Sequence, residues 1–239
     1  MSLRCVVRSS FLLHLLPRAI RGFANSATSA AVQYQSLRLH SRLFDPPWPE
    51  SWFDPRFQQL IEVVTNSSSS VDSLTVSTLP STTKIAAAKA AVVTDLISQG
   101  LITAEADGIY SFPMFTRNFT DIFLEELDNF YATGIPARRP NSMNMYGVIV
   151  NDIGMRPAID ELQRSMIQPL ADLLFPEIAS AGGGFDGHHS FIVRYNASED
   201  KGLDMHTDDS DVTLNACLGR KGFEAAGLRF CGVSVVSCQ

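Results

Sequence analysis

The chain has 239 residues, a net charge of −6 and a hydrophobic fraction of 45%, so it can bury the core of one domain with appendages. The negative charge argues against a general nucleic-acid-binding surface. No stretch approaches the roughly 20 apolar residues that a transmembrane helix requires. The four cysteines show no Cys-x-x-Cys spacing, so neither a disulfide framework nor a zinc site is predicted.

The first 44 residues differ in charge from the rest of the chain. They contain no Asp or Glu, and they carry six basic residues: Arg4, Arg8, Arg18, Arg21, Arg38 and Arg42. A basic, acid-poor leader with apolar residues at helical spacing is typical of an organellar transit peptide. We therefore predict a mitochondrial address, with a chloroplast or secretory address as the alternatives.

Residues 45–83 are predicted to form an irregular Pro/Ser/Thr-rich linker. Its first part, with Trp48 and Trp52, is rich in Pro and aromatic residues, which indicates buried aromatics rather than a ligand site. Residues 66–83 are rich in Ser and Thr and have almost no charge, as in flexible linkers. The remaining residues, 84–239, are assigned to the folded domain.

Helices are predicted first in this domain and strands later. A helix over 84–99 ends at Gly100, and a second over 121–132 follows Thr120 as N-cap. A third over 157–174 should kink or split at Pro169. Strands are predicted over 188–195 and 212–219. This order favours an α+β fold in which helices buttress a sheet.

The most informative motif is His206-Thr207-Asp208, which lies just before the second predicted strand. In an extended chain, side chains at i and i+2 point to the same face, so His206 and Asp208 can bind one cation. They would supply two of the three ligands in a 2-His-1-carboxylate iron site. Alone the motif is a weak signal, because a His at a strand end is also an ordinary polar residue. A calcium loop is disfavoured because the glycine and closing Glu are absent.

The sequence around this motif resembles the 2-oxoglutarate/Fe(II) oxygenases of the prolyl- and lysyl-hydroxylase type. The segment HTDDSDVTLN, residues 206–215, is similar to their metal-binding segment. PNSMNMYG at 140–147 and FPE at 175–177 resemble segments of a plant and algal subgroup. The resemblance extends from about residue 114 to residue 232.

The resemblance implies a double-stranded β-helix, or jelly roll, with Fe(II) bound by His206 and Asp208. It implies 2-oxoglutarate as cosubstrate, with Tyr195 near it, and ascorbate as the reductant that restores oxidised iron. Decarboxylation of 2-oxoglutarate to succinate would drive hydroxylation of an unactivated C–H bond. The substrate is unknown, and a protein Lys or Pro side chain is the family-level expectation.

The sequence departs from the family pattern at two places. Ala225-Ala226 stands where the family usually has Gly-Gly, and the chain reaches Gln239 without a distal His or the Arg that anchors the cosubstrate. We therefore expect a β-helix that is incomplete at its C-terminus, from a fragment or truncated gene product. The alternative function is a catalytically inactive oxygenase-like fragment that acts as a binding module.

Overall fold

The computed structural model describes residues 9–16, 29–75, 82–178, 185, 187–219, 228–230 and 233–235. Helices and strands are mixed along these residues, as predicted. The helices are α1 (Ser29–Tyr34), α2 (Pro55–Thr75), α3 (Thr82–Ser98), α4 (Arg117–Ala132), α5 (Arg156–Leu162) and α6 (Gln168–Leu174). The strands are β1 (Ser9–Leu16), β2 (Thr103–Ala106), β3 (Ile109–Ser111), β4 (Gly147–Ile149), β5 (Gly187–Arg194), β6 (Val212–Cys217), β7 (Leu228–Phe230) and β8 (Val233–Val235). None of these helices is long and apolar enough to cross a bilayer.

The largest sheet has four strands in the order β4-β5-β1-β6, and each neighbouring pair is antiparallel. The strands β2 and β3 form a separate hairpin, and β7 and β8 form another. Within the described residues the structure therefore shows one sheet and two small hairpins, and the jelly roll remains an expectation.

The helices pack on one face of the four-stranded sheet. Val148 of β4, Ile192 of β5 and Ala216 of β6 point to that face and join a continuous apolar core. The core also contains the aromatic stripe of α4, in which Phe123 and Phe130 are 2% and 1% exposed. The stripe lies on one helix face, as its spacing predicts.

Helix α4 begins four residues earlier than predicted. Thr116, in extended conformation, caps it by accepting a hydrogen bond from the Phe119 N–H. Thr120 is buried inside the helix, where its hydroxyl donates to the Arg117 carbonyl. Thr116 and Thr120 lie one helical turn apart, and either could serve as the N-cap. The tertiary position of the first turn decides between them.

The third predicted helix is split, as Pro169 requires. The segment α5 gives way to a π-helical turn, Gln163–Ile167, and α6 starts with Pro169 in its first turn. Proline lacks an N–H and clashes with the carbonyl four residues back, and the wider π turn accommodates it.

The prediction of an irregular linker over 45–83 is wrong for residues 55–75, which form α2. Phe57, Leu60 and Val64 lie on one helix face and are each at most 1% exposed. The polar residues are tolerated because their hydroxyls bond within the helix: Thr65 donates to the Ile61 carbonyl and Ser67 to the Val63 carbonyl. Residues 76–81 lie outside the described residues.

The predicted aromatic segment before α2 is buried, as expected. Trp48 and Trp52 pack in the core at 8% and 7% exposure, and their rings contact Phe119. The Trp48 indole N–H donates to the Leu43 carbonyl. The segment is therefore structural.

Parts of the predicted leader also belong to the fold. Tyr34 and Leu43 are fully buried in the helical core, and the strand β1 lies inside the main sheet. The sequence pattern of the leader does not indicate either contribution. The Ala225-Ala226 departure from the family pattern falls outside the described residues.

Candidate metal centre

The His-x-Asp motif lies in the loop that leads into β6. The Nε2 atom of His206 is 3.1 Å from Oδ1 of Asp208, and the two side chains are 32% and 27% exposed. The structure thus brings the two predicted ligands together at an accessible position.

Two groups orient the pair. The Nδ1 atom of His206 lies 2.8 Å from the Asp204 carbonyl oxygen, which can only accept a hydrogen bond. This contact lets Nδ1 donate a hydrogen bond to the carbonyl and directs Nε2 to Asp208. The Thr213 hydroxyl donates to the other carboxylate oxygen of Asp208 at 2.7 Å, and it also contacts the Ser210 hydroxyl.

This donor set fits two positions of a divalent iron site. With metal–ligand bonds of about 2.1 Å, two ligands at right angles are roughly 3 Å apart, close to the spacing of His206 Nε2 and Asp208 Oδ1. Nδ1 bonded to a carbonyl and a carboxylate held by a hydroxyl are supports typical of metal ligands. Across the described residues, no group of three or more His, Cys, Asp or Glu side chains converges to complete the coordination.

The histidines of β5 do not complete this pair. His188 points to the helix side, where Nε2 lies 2.8 Å from Asp160 Oδ1 and Nδ1 lies 2.6 Å from the buried Ser190 hydroxyl. His189 lies on the other face, with its Nε2 3.0 Å from the Pro140 carbonyl oxygen. Burial lowers the pKa of His189, so it packs as a neutral side chain.

Tyr195, the predicted cosubstrate neighbour, lies far from the pair. The register places Thr213 opposite His14 of β1, and His14 opposite His189 of β5. Tyr195 follows His189 by six residues, which is roughly 20 Å along a strand. It packs on Phe191 and Val193, and burial raises its pKa. The structure does not bring Tyr195 to the metal pair.

A cavity of about 400 Å³ lies beside the Asp208 carboxylate. Strand β6, the β2–β3 hairpin and α6 form its walls, and Phe115, Leu170 and Leu174 are among the apolar lining residues. Its acidic lining residues are Glu105, Asp208 and Asp211, and no Lys or Arg is among the described lining residues. The cavity therefore suits an apolar group or a cation on an apolar stem better than an anion.

A second loop, residues 140–147, is held near the end of β5. Asp200 Oδ2 accepts hydrogen bonds from the Met145 and Tyr146 N–H groups at 2.8 and 3.0 Å. The loop ends at Gly147, whose φ is +142° and where a Cβ would lie 1.9 Å from the Ile192 carbonyl oxygen. Only glycine allows β4 to approach β5 so closely here.

The sequence did not reveal three positioning groups: the Asp204 carbonyl, Thr213 and Asp200. The neighbouring carboxylates of Asp209 and Asp211 are both exposed. In the sequence, Thr213 belongs to a strand pattern. Its contact with Asp208, five residues earlier, depends on the turn of the loop between the two residues. Only the resemblance of the whole 206–215 segment to a metal-binding segment could have signalled it.

Comparison with known proteins confirms the resemblance. Residues 85–180 match the family model described as the OGFOD2-like domain. This match covers the helices α3 to α6 and ends before the His-x-Asp loop. No solved structure matches the chain.

Similar curated proteins are named 2-oxoglutarate and iron-dependent oxygenase domain-containing proteins. The Arabidopsis thaliana 2-oxoglutarate and iron-dependent oxygenase domain-containing protein CP2 is 35% identical over 127 residues, which is 52% of this chain and 32% of that protein. The human 2-oxoglutarate and iron-dependent oxygenase domain-containing protein 2 is 39% identical over 131 residues, 54% of this chain and 37% of that protein. The matched region is thus about a third of the length of these relatives.

A more distant similarity links the chain to lysyl hydroxylases. Human procollagen-lysine,2-oxoglutarate 5-dioxygenase 1 is 27% identical over 146 residues, 57% of this chain and 20% of that protein. The predicted resemblance to 2-oxoglutarate/Fe(II) oxygenases is therefore confirmed, and the names of these relatives specify iron and 2-oxoglutarate for those proteins.

Proposed function

We propose that this chain, as a relative of the 2-oxoglutarate and iron-dependent oxygenase domain-containing proteins, is an Fe(II)- and 2-oxoglutarate-dependent dioxygenase that hydroxylates a protein side chain. The observation that carries the proposal is the pair of His206 Nε2 and Asp208 Oδ1, 3.1 Å apart and each held by a further contact. Bound iron would supply the activation of O₂ for C–H hydroxylation.

The residues of this chain would have three tasks. His206 and Asp208 hold the metal, Thr213 keeps the carboxylate turned toward it, and the Asp204 carbonyl keeps the Nδ1 proton in place. The sheet β4-β5-β1-β6 would be one layer of a double-stranded β-helix. Ascorbate would serve as reductant, as the resemblance implies.

The cavity supports a cationic side chain as the substrate group. Its apolar walls suit an aliphatic stem, and Glu105 and Asp211 supply negative charge besides the metal ligand Asp208. A lysine side chain has this chemistry, and the name of the distant human relative specifies procollagen lysine.

The described residues do not fit 2-oxoglutarate as well as they fit iron. The cosubstrate is a dianion, and the described cavity lining contains three acidic residues and no basic one. Tyr195, proposed from the resemblance as a cosubstrate contact, lies at the far end of β5. This mismatch favours, as a second candidate function, a binding module that holds metal or substrate without turnover.

Succinate formation distinguishes the two functions. The chain is supplied with Fe(II), 2-oxoglutarate, ascorbate and lysine-containing peptides, and succinate is quantified by mass spectrometry. The dioxygenase proposal expects succinate from the wild type and from Asp209→Ala, a matched change at an exposed neighbouring carboxylate. It expects none from His206→Ala or Asp208→Ala.

The opposite results are equally informative. Metal binding without succinate from any variant would reject turnover and support the binding module. Succinate that persists in Asp208→Ala would reject the proposed ligands.

A further inference from the structure

The strand β1 is the central connection of the main sheet. Its residues pair with β5 in eight register positions and with β6 in six. Strands β5 and β6 are not neighbours in the sheet, and β1 lies between them. Within the described sheet, β6, which follows the metal loop, is therefore linked to the buried strand β5 through the backbone hydrogen bonds of Ser9–Leu16.

Withdrawal of β1 would open the sheet. Both neighbouring strands would lose a ladder of backbone hydrogen bonds, and unpaired buried N–H and C=O groups are costly. The exposed strand edges would also favour aggregation. Phe191, Ile192 and Val193 are each at most 1% exposed, so an edge opened at β5 would lie beside buried apolar residues.

The chain after β1 is also fixed to the fold. The Tyr34 hydroxyl and the His40 N–H both donate to the buried Glu126 carboxylate of α4, each at 2.5 Å. The predicted leader is thus attached to the domain at two separate places, the sheet and α4.

The strand residues Ser9–Leu16 lie in the acid-free, arginine-bearing segment that predicts organellar import. An import signal must be accessible to its receptor and to a processing protease, and a central strand of a sheet is not. We propose that Ser9–Leu16 is a two-state segment, which acts as an import signal only in the unfolded chain and becomes the central strand of the folded protein. A chain that folds first then keeps its N-terminal segment and is not imported.

A disulfide tests the folded state of this segment. The register pairs Ser10 with the native Cys217 of β6. Paired strand residues have Cα atoms about 4.5–5.5 Å apart, within the range that a disulfide spans. In a background with Cys5, Cys231 and Cys238 changed to Ser, Ser10→Cys should form a disulfide with Cys217 under mild oxidation, detected by peptide mass mapping.

The matched control is Phe11→Cys in the same background. Position 11 pairs with Ala216 instead of Cys217. It should give no bond to Cys217. Equal cross-linking at positions 10 and 11, or none at 10 in a protein that melts cooperatively, would overturn the pairing.

Import of the cross-linked protein tests the switch itself. Full-length Ser10→Cys protein is offered to isolated mitochondria in the oxidised, folded form and after reduction and unfolding in urea, and import is measured by protease protection. The proposal expects import only of the reduced, unfolded chain. Equal import of both forms would overturn the exclusion between strand and signal, and import of neither would overturn the signal.

Discussion

The two faces of the four-stranded sheet are covered very differently. On the helix side, Val148 and Ile192 join a core that includes the aromatic residues of the chain from Trp48 to Phe130. On the other side, the cluster formed by the described residues consists of Ile149, Phe191 and Val193, with Tyr195 partly buried against it. Thr213, which holds Asp208, belongs by register to this second, thinly covered face.

This difference separates stability from function. The helix side supplies most of the apolar burial, and hydrophobic stabilisation scales with the area removed from water. On the thinly covered face, loops are held by a few side-chain hydrogen bonds, such as those that Asp200 accepts from the Met145 and Tyr146 N–H groups and the one that Thr213 donates to Asp208. The metal ligands need this access, whereas the apolar cavity is walled by α6 on the helix side, so we expect mutations on the two faces to have different consequences.

Matched phenylalanine truncations should give the largest effect. Phe119 and Phe191 are both 1% exposed, but the Phe119 ring contacts four aromatic rings of the helical core, those of Trp48, Trp52, Phe115 and Phe123. Burial of this kind makes Phe→Ala cost about 3–5 kcal/mol, and we place Phe119→Ala near the top and Phe191→Ala near the bottom of that range. Urea denaturation measures both. Equal losses would mean that the two faces are packed alike.

Removal of the Thr213 hydroxyl should weaken metal binding without a comparable loss of stability. Thr213→Val keeps the strand shape but removes the donor to Asp208 Oδ2. Loss of such a supporting contact typically lowers metal affinity about 10- to 100-fold. Mn(II) titration by electron paramagnetic resonance measures the change. Thr213→Ser should restore affinity, and a Val variant that binds as tightly as the wild type would exclude the positioning role.

The His188–Asp160 contact predicts a pH dependence of stability on the helix side. Burial alone would raise the pKa of Asp160, but the hydrogen bond with His188 and the charge of Arg156 hold this pKa below its ordinary value. A lowered folded-state pKa stabilises the protein above the unfolded-state pKa of about 3.9, and the contribution is lost as the pH falls through the folded value.

Asp160→Asn should therefore lower the melting temperature at pH 6 and have a smaller effect near pH 3. Thermal denaturation of the wild type and the variant across this range measures the difference. A difference in melting temperature that is constant with pH would show that the carboxylate charge does not contribute.

The smallest effect on stability is expected from a substitution of Asp200 on the thinly covered face. Asp200→Ala removes the acceptor of the Met145 and Tyr146 N–H groups. Both residues are exposed, so the global free energy of unfolding should change by about 1 kcal/mol or less. Hydrogen exchange of these two amides should accelerate, while exchange in α4 stays unchanged. Slow exchange at both amides in the variant would mean that other contacts hold the loop.

The same contrast explains what the sequence could predict. Phe123, Leu127 and Phe130 lie on one helix face because spacing alone determines it, and Pro169 splits its helix because of its covalent geometry. The helix over 55–75 was missed because its serine-rich second half hides the apolar spacing of Phe57, Leu60 and Val64. The place of β1 was missed because the pairing of distant strands leaves no local pattern.

For the candidate site, the motif predicted the pairing of His206 with Asp208 because residues at i and i+2 share a face. The orienting contact of Thr213 was not predictable, since it depends on the path of the loop between Asp208 and β6. The prediction that Tyr195 lies near the cosubstrate depended on the resemblance alone. The strand register of β5, β1 and β6 shows that Tyr195 is distant from the His206–Asp208 pair. The i and i+2 geometry of the motif could thus be predicted from the sequence, whereas contacts that depend on loop paths and strand pairing could not.

The most direct test of the central claim is metal binding by this chain and four variants. Mn(II) binding to the wild type, His206→Ala, Asp208→Ala, His188→Ala and Asp209→Ala is measured by electron paramagnetic resonance, with melting curves to confirm folding. The wild type and Asp209→Ala should bind Mn(II) alike, and a folded His188→Ala variant should bind it too. His206→Ala and Asp208→Ala should lose Mn(II) binding. Unchanged Mn(II) affinity in a folded His206→Ala variant would contradict the account.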